Sequence, residues 1–517
     1  MATDCADAHH PRDPRDLSLY SVAQIRDIER AALAAVPPYT LMQRAGRATA
    51  ALALQLLHAA TPVPRVLVVA GPGNNGGDAL EAAATLAEQG IHVEVLLVAD
   101  ATRYSGDAAQ AYQQAMDSAA SFTSFDALES AEAAPFHLAI DGLFGIGLAR
   151  APDGEHRRAI AWMNRLRCPL LAIDVPSGLD ADSGALVGDV AVRATHTITF
   201  LGNKRGLHTA HGRDCAGRVQ VDYLGTDPAL YDDPPVTLNH PGLFRRHART
   251  RPHASHKGSF GDLTVIGGAA GMGGAVVLAA RMGAMAGAGR VFAAFAGSVP
   301  ALDPVHPELM CRDAHQVALD HGAIVVGPGL GMSRDANDLL SRALASRQPL
   351  VIDADGLNLL ADEGPLQHKL VAREAPTILT PHPLEAARLL GTDAAHVQQD
   401  RVGVAAQLAQ RYHAVVVLKG SGSVIARADW QLVINGSGNP ALATAGSGDV
   451  LAGLCGALLA QQWPAWEAAL AAVWLHGVAA DDMVAAGLGP VGVTAGELLP
   501  WIRTALNRLI SNTDMTG

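Results

Sequence analysis

Lysine is almost missing from this chain. Of 38 basic residues only four are lysine (Lys204, Lys257, Lys369 and Lys419), so arginine carries nearly all the positive charge. A lysine kept against that background points to chemistry a planar guanidinium does not do. Cysteine is also scarce. The five residues are scattered and none forms a CxxC pair, which excludes a disulfide framework or a zinc site and fits a reducing compartment. Positive charge does not predominate either. A net charge of −12 excludes nucleic-acid backbone as the main partner, but not a small anion in a local pocket. No apolar run reaches about 20 residues free of charge. The nearest, 276–302, is broken by Arg281 and Arg290, so no membrane partner is expected. Residues 1–16 are acidic and polar with no apolar centre, unlike a signal peptide, and a cytoplasmic protein is expected.

Glycine is abundant (53 residues) but has no triplet period. With 49% hydrophobic and 17% charged residues, the composition is that of a globular chain, neither collagen-like nor disordered. A length of 517 residues suggests at least two domains. The pattern is α/β in both halves. Strands are expected at 66–70, 93–98, 138–140, 170–173 and 197–200, with a helix at 79–88. Residues 223–251, with two Asp-Pro steps and a Pro-Pro, break the rhythm and read as a linker. A second series follows, with strands at 263–266, 324–326, 350–352, 377–379 and 415–418. Its helices fall at 275–288, 400–411, 449–460 and 464–486, the last two closing the chain. The expected domains are 1–225 and 251–517, joined by 226–250.

In the first half, the loop Gly71-Pro72-Gly73-Asn74-Asn75-Gly76-Gly77-Asp78 satisfies GxGxxG, and Asp100 ends the next strand. A nicotinamide-dependent oxidoreductase is one reading. Against it, a pyrophosphate loop uses bare backbone N–H groups, whereas Asn74, Asn75 and Asp78 crowd this one. Their oxygens suit a hard cation or a hydroxylated substrate, and a plain Gly-rich turn is the bland alternative. Two more oxygen-rich strand ends follow, one beginning at Asp141 and the other running from Asp174 to Ser177. Lys204 lies beyond a further strand.

The segments GPGNNGGD, DGLFGIGL, DVPSGLD and TFLGNKRGL, with LYSVAQIRDIERAA and LMQRAG, resemble the NAD(P)H-hydrate epimerase family over about residues 18–225. The resemblance implies a Rossmann-like three-layer domain that epimerises hydrated nicotinamide cofactor at C6. It assigns substrate contacts to Asn74, Asn75, Gly76, Gly77 and Asp78. It assigns further contacts to Gly145, Ile146, Gly147, Leu148, Ala149, Arg150 and Ala151, and to Asp174. Asn75, Asp141 and Ser177 would ligate a potassium ion. Asp174 would do the acid/base work, with Lys204 a second catalytic candidate. Three positions depart from the family. Ala79 stands where Gly is usual, and Gly142 and Ile146 stand where Ala and Thr are usual.

In the second half, Gly-rich segments flank the expected strands. His256 to Gly261 precedes the first strand and Gly267 to Ala275 follows it. Gly327 to Gly331, Asp353 to Gly356 and Thr380 to Glu385 follow three others. All are expected on one sheet edge. Ala445-Gly446-Ser447-Gly448-Asp449 opens an uncharged helix. Its small residues make an anion hole, in which Asp449 is either a base aimed at the group being phosphorylated or a residue favoured by the helix dipole. Lys419 to Ser423 offers a lysine and a backbone nest for a nucleotide.

HKGSFG, GPGLG, DADGLN, TPHPLEAARLL, VVLKGSGSVIA and GNPALATAGSGDVLAG resemble the ribokinase-like superfamily. Within it they resemble the ADP- or ATP-dependent NAD(P)H-hydrate dehydratases, over about residues 240–505, with Ser447 replacing a usual Thr. By this resemblance Lys419, Gly420, Ser421, Gly422, Ser423 and Gly448 bind the adenine nucleotide, ADP being favoured over ATP. Ala275, Gly329, Gly331, His382 and Asp449 bind the hydrate, with Asp449 catalytic and Mg2+ on the phosphates. The substrates implied are NADHX and NADPHX, and a homo-oligomer is expected. A plain small-molecule kinase fused to an oxidoreductase or a binding module is the alternative.

Overall fold

The computed structural model describes residues 13–57, 64–98, 100–129, 135–232 and 236–514. The polar start, 1–12, lies outside these, as does Cys5. The other four cysteines form no disulfide. Two compact units divide between Thr237 and Leu238.

The first unit runs β1 (Ser18–Tyr20), α1 (Val22–Ala35), α2 (Thr40–Leu56), β2 (Arg65–Ala70), α3 (Asn74–Glu88), β3 (His92–Leu97) and α4 (Gly106–Asp117). It continues through β4 (Ser121–Thr123), α5 (Phe125–Leu128), β5 (Leu138–Gly142), α6 (Gly154–Met163), β6 (Leu170–Ile173) and β7 (His196–Phe200). It ends with β8 (Asn203–Lys204), α7 (Gly212–Cys215), β9 (Arg218–Asp222) and the start of β10 (Val236–Leu238). Seven strands pair in parallel in the order β4-β3-β2-β5-β6-β7-β9. Val66, Val68 and Ala70 of β2 pack with α2, α3 and α4, while Leu67 and Val69 pack with α5 and α6. The strand-wise alternation of side chains thus builds a three-layer, Rossmann-like unit. Strand order reverses between β2 and β5, which opens a crevice at their carboxyl ends.

The second unit begins with β11 (Asp262–Gly267), α8 (Gly273–Met285), β12 (Arg290–Phe295), β13 (Met310–Asp313), β14 (Ala323–Val326) and α9 (Arg334–Ala345). Then come β15 (Leu350–Ile352), α10 (Asp355–Asp362), α11 (Gly364–Val371), β16 (Thr377–Leu379), α12 (Pro383–Leu390), α13 (Ala394–Gln399) and α14 (Arg401–Tyr412). It closes with β17 (Val415–Leu418), β18 (Val424–Ala426), β19 (Leu432–Ile434), α15 (Ser447–Ala460), α16 (Ala465–Ala485) and α17 (Ala495–Asp514). Its strand order is β13-β12-β11-β14-β15-β16-β17-β18-β19, parallel except for β18 and its two pairings. The order reverses between β11 and β14. Helices α8, α15, α16 and α17 cover one face over Val265, Val325, Val351, Ile378 and Val417. Helix α16 is long and apolar enough to cross a membrane, but 72% of that stretch is buried inside the unit, so it is a core helix.

Two expectations change. α15 and α16 do not end the chain, because α17 follows. Its Leu498, Ile502, Leu506 and Leu509 recur at helical spacing and are buried, although Pro500 argues against a helix there. Residues 226–250, read as a linker, carry three 3-10 turns and β10. Phe244 is fully buried in the second unit's core, beside Ala248 and against Trp474. The prolines at 228 and 241 start tight turns in this segment and do not mark a solvated tether. Phe244→Ala should therefore lower the stability of the second unit by about 3–5 kcal/mol, read as an earlier urea transition. An unchanged transition would return 238–250 to the role of a tether.

Candidate active sites

In the first unit, helix α3 starts at Asn74, inside the glycine loop, which brings Asn75 and Asp78 onto its first turns. Gly71 donates its N–H to the Gly142 carbonyl at 3.1 Å, and a side chain on Gly71 would collide with the Leu143 carbonyl. The two loops at the switch point therefore close on each other backbone to backbone.

Asp174 is held by three hydrogen bonds. Its backbone adopts φ 66°, a left-handed conformation uncommon outside glycine, fixed by its N–H donating to Ile198 O at 2.7 Å. Oδ1 accepts from Lys204 Nζ at 2.6 Å and Oδ2 from Ile146 N at 3.1 Å. Lys204 is fully buried and spends its other two donors on Thr199 Oγ1 and Phe200 O, both at 2.7 Å. All three ammonium donors are engaged, so Lys204 orients Asp174 and has no donor left for a ligand. A Cβ on Gly145 would stand 2.6 Å from Asp174 Oδ2 and 3.3 Å from Asn75 Oδ1, so glycine leaves the space above these groups open. Ile146 reaches Asp174 through its backbone, and its side chain packs into two apolar clusters, so the missing hydroxyl takes no contact from Asp174. Leu148 turns back, its N–H on Gly145 O. Asn74, Gly147, Ala149, Arg150 and Ala151 are exposed on the rim.

Asp141 is completely buried. It accepts from Ser177 N (2.8 Å), Ser177 Oγ (2.7 Å) and Leu143 N (3.2 Å), yet burial pushes its carboxyl up to about 6. Asn75 is nearly buried and its Nδ2 finds no partner. Asp78 is held well above the usual carboxylate range by burial and by the charges of Asp174, Glu29 and Glu81. Glu29 on α1 is a site residue that the motifs missed. Burial and the Asp174 charge raise it too. Its only trace in the sequence is its place in the LYSVAQIRDIERAA segment. Asp100 is exposed and caps the turn Ala101–Arg103 through Thr102 N, so it does not have the place of a ribose-binding acid.

In the second unit, Lys419 donates to Asp353 Oδ1 at 2.6 Å and lies 3.9 Å from Glu385 Oε2. Against the pull of burial, those two carboxylates raise the lysine. Thr380 Oγ1 donates to the same Asp353 oxygen at 2.7 Å. Helix α15 starts at Ser447 after Gly446 at φ 87°. A Cβ on Gly448 would stand 3.4 Å from Lys419 Nζ, so the helix start and the lysine share one space. Burial, with help from Asp353, pushes Asp449 up to about 6. His382 Nδ1 accepts from Leu384 N and Glu385 N, and the His382 backbone N–H donates to Glu385 Oε2 at 2.7 Å. Burial raises Glu385 to about 7 and lowers His382. At the switch point, Gly331 donates to Asp355 Oδ2 at 2.8 Å, and a Cβ on Gly329 would stand 3.2 Å from Ala275 Cβ. The loop of Gly420, Ser421, Gly422 and Ser423 joins β17 to β18, its Ser423 hydroxyl donating to Gly420 O. Asp353 and Glu385 were inside quoted motifs but not singled out. Their partner, Lys419, was the available signal.

One motif lies elsewhere. His256 to Gly261 precedes β11 and so sits at the opposite edge of the sheet, where a side chain on Gly261 would meet the carbonyl of Ala460 at the end of α15. Lys257 is exposed there and belongs to neither site.

These are two α/β units, each with a carboxylate-lined crevice at its switch point. A family profile described as NAD(P)H-hydrate dehydratase matches residues 263–500, and one described as YjeF-related protein N-terminus matches residues 38–206. The bifunctional NAD(P)H-hydrate repair enzyme Nnr of Coxiella burnetii is 39% identical over 507 residues, covering 95% of this chain and 99% of that protein. The Escherichia coli protein of the same name is 36% identical over 480 residues, covering 91% and 90%. The ADP-dependent (S)-NAD(P)H-hydrate dehydratase of Neisseria meningitidis is 44% identical over 281 residues, 53% of this chain and 93% of that protein. A crystal structure of the Bacillus subtilis ADP/ATP-dependent NAD(P)H-hydrate dehydratase, co-crystallised with ATP/Mg2+, aligns at TM-score 0.48 and 30% identity. It covers 53% of this chain and 98% of that one. The chain belongs to the family of bifunctional NAD(P)H-hydrate repair enzymes.

Two departures from the epimerase pattern touch each other. Ala79 is helical and fully buried, and a Cβ on Gly142 would overlap its methyl. The methyl has moved from the strand to the helix with the volume conserved. Gly142→Ala alone should cost about 1–3 kcal/mol by overpacking, and Gly142→Ala with Ala79→Gly should recover most of it. Urea unfolding of the single and double variants measures the coupling, and additive losses would refute the compensation.

Proposed function

We propose a division of labour in which each crevice carries out one step of cofactor repair. The chain is a bifunctional enzyme: its first unit epimerises NAD(P)H hydrate, and its second is an ADP-dependent dehydratase. The observation that carries the reading is the pair of crevices, each holding a buried carboxylate cluster organised by one lysine.

In the first site, Asp78, whose carboxyl is held well above the usual range by burial and neighbouring charges, is the proton donor, and Asp174 is the carboxylate that Lys204 orients. Asp78 gives its proton to the C6 hydroxyl, and the ring nitrogen lone pair expels water. C6 becomes planar, water returns to the other face, and Asp174 takes the released proton. A potassium ion fits Asn75, Asp141 and Ser177. Their donors are hard oxygens, and Asp141 is a carboxylate buried without a full countercharge. Such an ion would supply the charge that Asp141 needs to stay ionised.

In the second site, Asp449 accepts the C6 hydroxyl proton while that oxygen takes the terminal phosphoryl of ADP. The new O–P bond replaces the bond to the AMP leaving group. The C6–O bond then breaks, phosphate departs with the electron pair, C5 gives up its proton to that phosphate, and C5=C6 is restored. Lys419 and the N–H groups at the start of α15 face the phosphates. Magnesium on those phosphates fits the acidic set of Glu385 and Asp449, and would supply charge neutralisation.

The test supplies mixed hydrate epimers and ADP, and follows the near-ultraviolet absorbance of reduced nicotinamide. The wild type should recover all of it. Asp174→Asn should recover quickly only the epimer the dehydratase accepts, and Asp449→Asn should recover none. A stable phosphorylated product would instead mark a plain kinase. Because Asp449 must be ionised to act and is raised to about 6, kcat/KM for dehydration should rise with pH through that value and then level. A profile flat from pH 5 to 8, about one unit below to two above, would exclude Asp449 as the base.

A further inference from the structure

Arg401, the first residue of α14, is 1% exposed, and no motif contains it. Its guanidinium donates from Nη1 to Gln398 Oε1 at 3.0 Å. From Nη2 it donates to the carbonyl oxygens of Leu418 (3.2 Å), Lys419 (3.3 Å) and Gly422 (3.5 Å). A Cβ on Gly420, which adopts φ 140°, would stand 2.9 Å from Nη1 and from Nη2, so the loop wraps the guanidinium with no room for a side chain. In a trans peptide the N–H points opposite the C=O. With the Lys419 and Gly422 carbonyls turned onto Arg401, the N–H groups of Gly420 and Ser423 are turned away from it. Lys419 N is fixed separately, on Pro381 O at 2.8 Å. A cation is thus buried directly behind the loop, and burial lowers it to about 10, still charged at neutral pH.

We propose that Arg401 is the positioning residue of the nucleotide site: it draws the loop carbonyls inward so that the backbone N–H groups of Gly420 and Ser423 face an anionic adenine nucleotide. The inference rests on the reading of 419–423 as the nucleotide loop. A carbonyl aimed at a phosphate would repel it, so the orientation of these peptides decides whether the loop attracts or rejects the ligand. Lysine at 401 keeps the charge but loses the fork that holds several carbonyls at once.

The test measures the Kd of a fluorescent ADP analogue, the KM for ADP and the KM for the hydrate in the full chain. Arg401→Lys should weaken ADP about ten-fold, as expected for one or two charge-assisted hydrogen bonds, and leave the hydrate KM within about two-fold. Gln398→Ala, at an exposed position outside the loop, should weaken ADP about three-fold with the same split, which keeps the test informative if Arg401→Lys folds poorly. Amide exchange in Arg401→Lys should speed up at 419–423 and stay unchanged in α15. Equal loss of ADP and hydrate affinity, or unchanged ADP affinity, would overturn the proposal. Lys419→Met separates the two readings. If it weakens ADP while Arg401→Lys does not, only the positioning role fails. If neither weakens ADP, the nucleotide loop itself is misassigned.

Discussion

A buried lysine–aspartate pair organises each half of this molecule. Lys204 and Asp174 stand 2.6 Å apart, as do Lys419 and Asp353. Burying two charges is costly, and the cost is offset only when the remaining donors and acceptors are also satisfied. Lys204 meets this condition with Thr199 and Phe200, and Asp353 meets it with Thr380. Guanidinium would not serve as well. The three acceptors around Lys204 converge on one nitrogen, whereas an arginine fork spreads its donors in a plane. In a chain that otherwise uses arginine almost throughout, lysine is kept where a point donor is needed. Lys257 shows the limit of that argument, since it is exposed at the far sheet edge and orders nothing in either site.

Much of the fold was legible because the strands are short apolar runs ending in glycine-rich or acidic turns, and β6, β15, β16 and β17 match their expected limits. What escaped had a competing signal. Pro500 hid α17, and the Asp-Pro steps hid the buried anchor at Phe244. The start of α3 was hidden by its own glycines, which carry poor helix propensity. Close approach of Gly76 to the Gly71 carbonyl and of Gly77 to Met42 on α2 outweighs about 1 kcal/mol per glycine. The candidate site residues on loops were legible from type and spacing. Glu29, Glu385 and Arg401 were not, because each sits on a helix, where an acidic or basic residue ordinarily faces solvent. Only the tertiary fold turns them inward.

The epimerase-like site also shows how a family pattern can change without losing its geometry. Ala79 and Gly142 read separately as two losses, but in space they are one exchange of a methyl across a single contact. Ile146 keeps its hold on Asp174 because the bond runs through the backbone, so the side chain was free to become apolar. Asp174 itself has less freedom. Its left-handed φ and its two occupied carboxylate oxygens fix one orientation, and both its hydrogen-bond donors, Lys204 and Ile146, lie in structure that is itself packed.

Asp78 and Asp449 expose a shared electrostatic logic. Asp449 lies in the first turn of α15, where the dipole favours a negative charge by about 0.3–1 kcal/mol, and Asp78 lies just beyond the first turn of α3. Yet both are raised, Asp449 to about 6, a change of two units or about 3 kcal/mol, so burial and neighbouring carboxylates outweigh the dipole. The consequence differs with what stands beside them. Asp449 has Lys419 nearby, which pulls its carboxyl back down and keeps it ionised at neutral pH, as a base must be. Asp78 is raised by burial first and then by the carboxylates of Asp174, Glu29 and Glu81, the direction that suits an acid. In the first unit Lys204 is committed to Asp174, and the Asp174 charge in turn raises Asp78. The same residue type near a helix start is thereby suited to opposite tasks by where the single lysine of each site is spent.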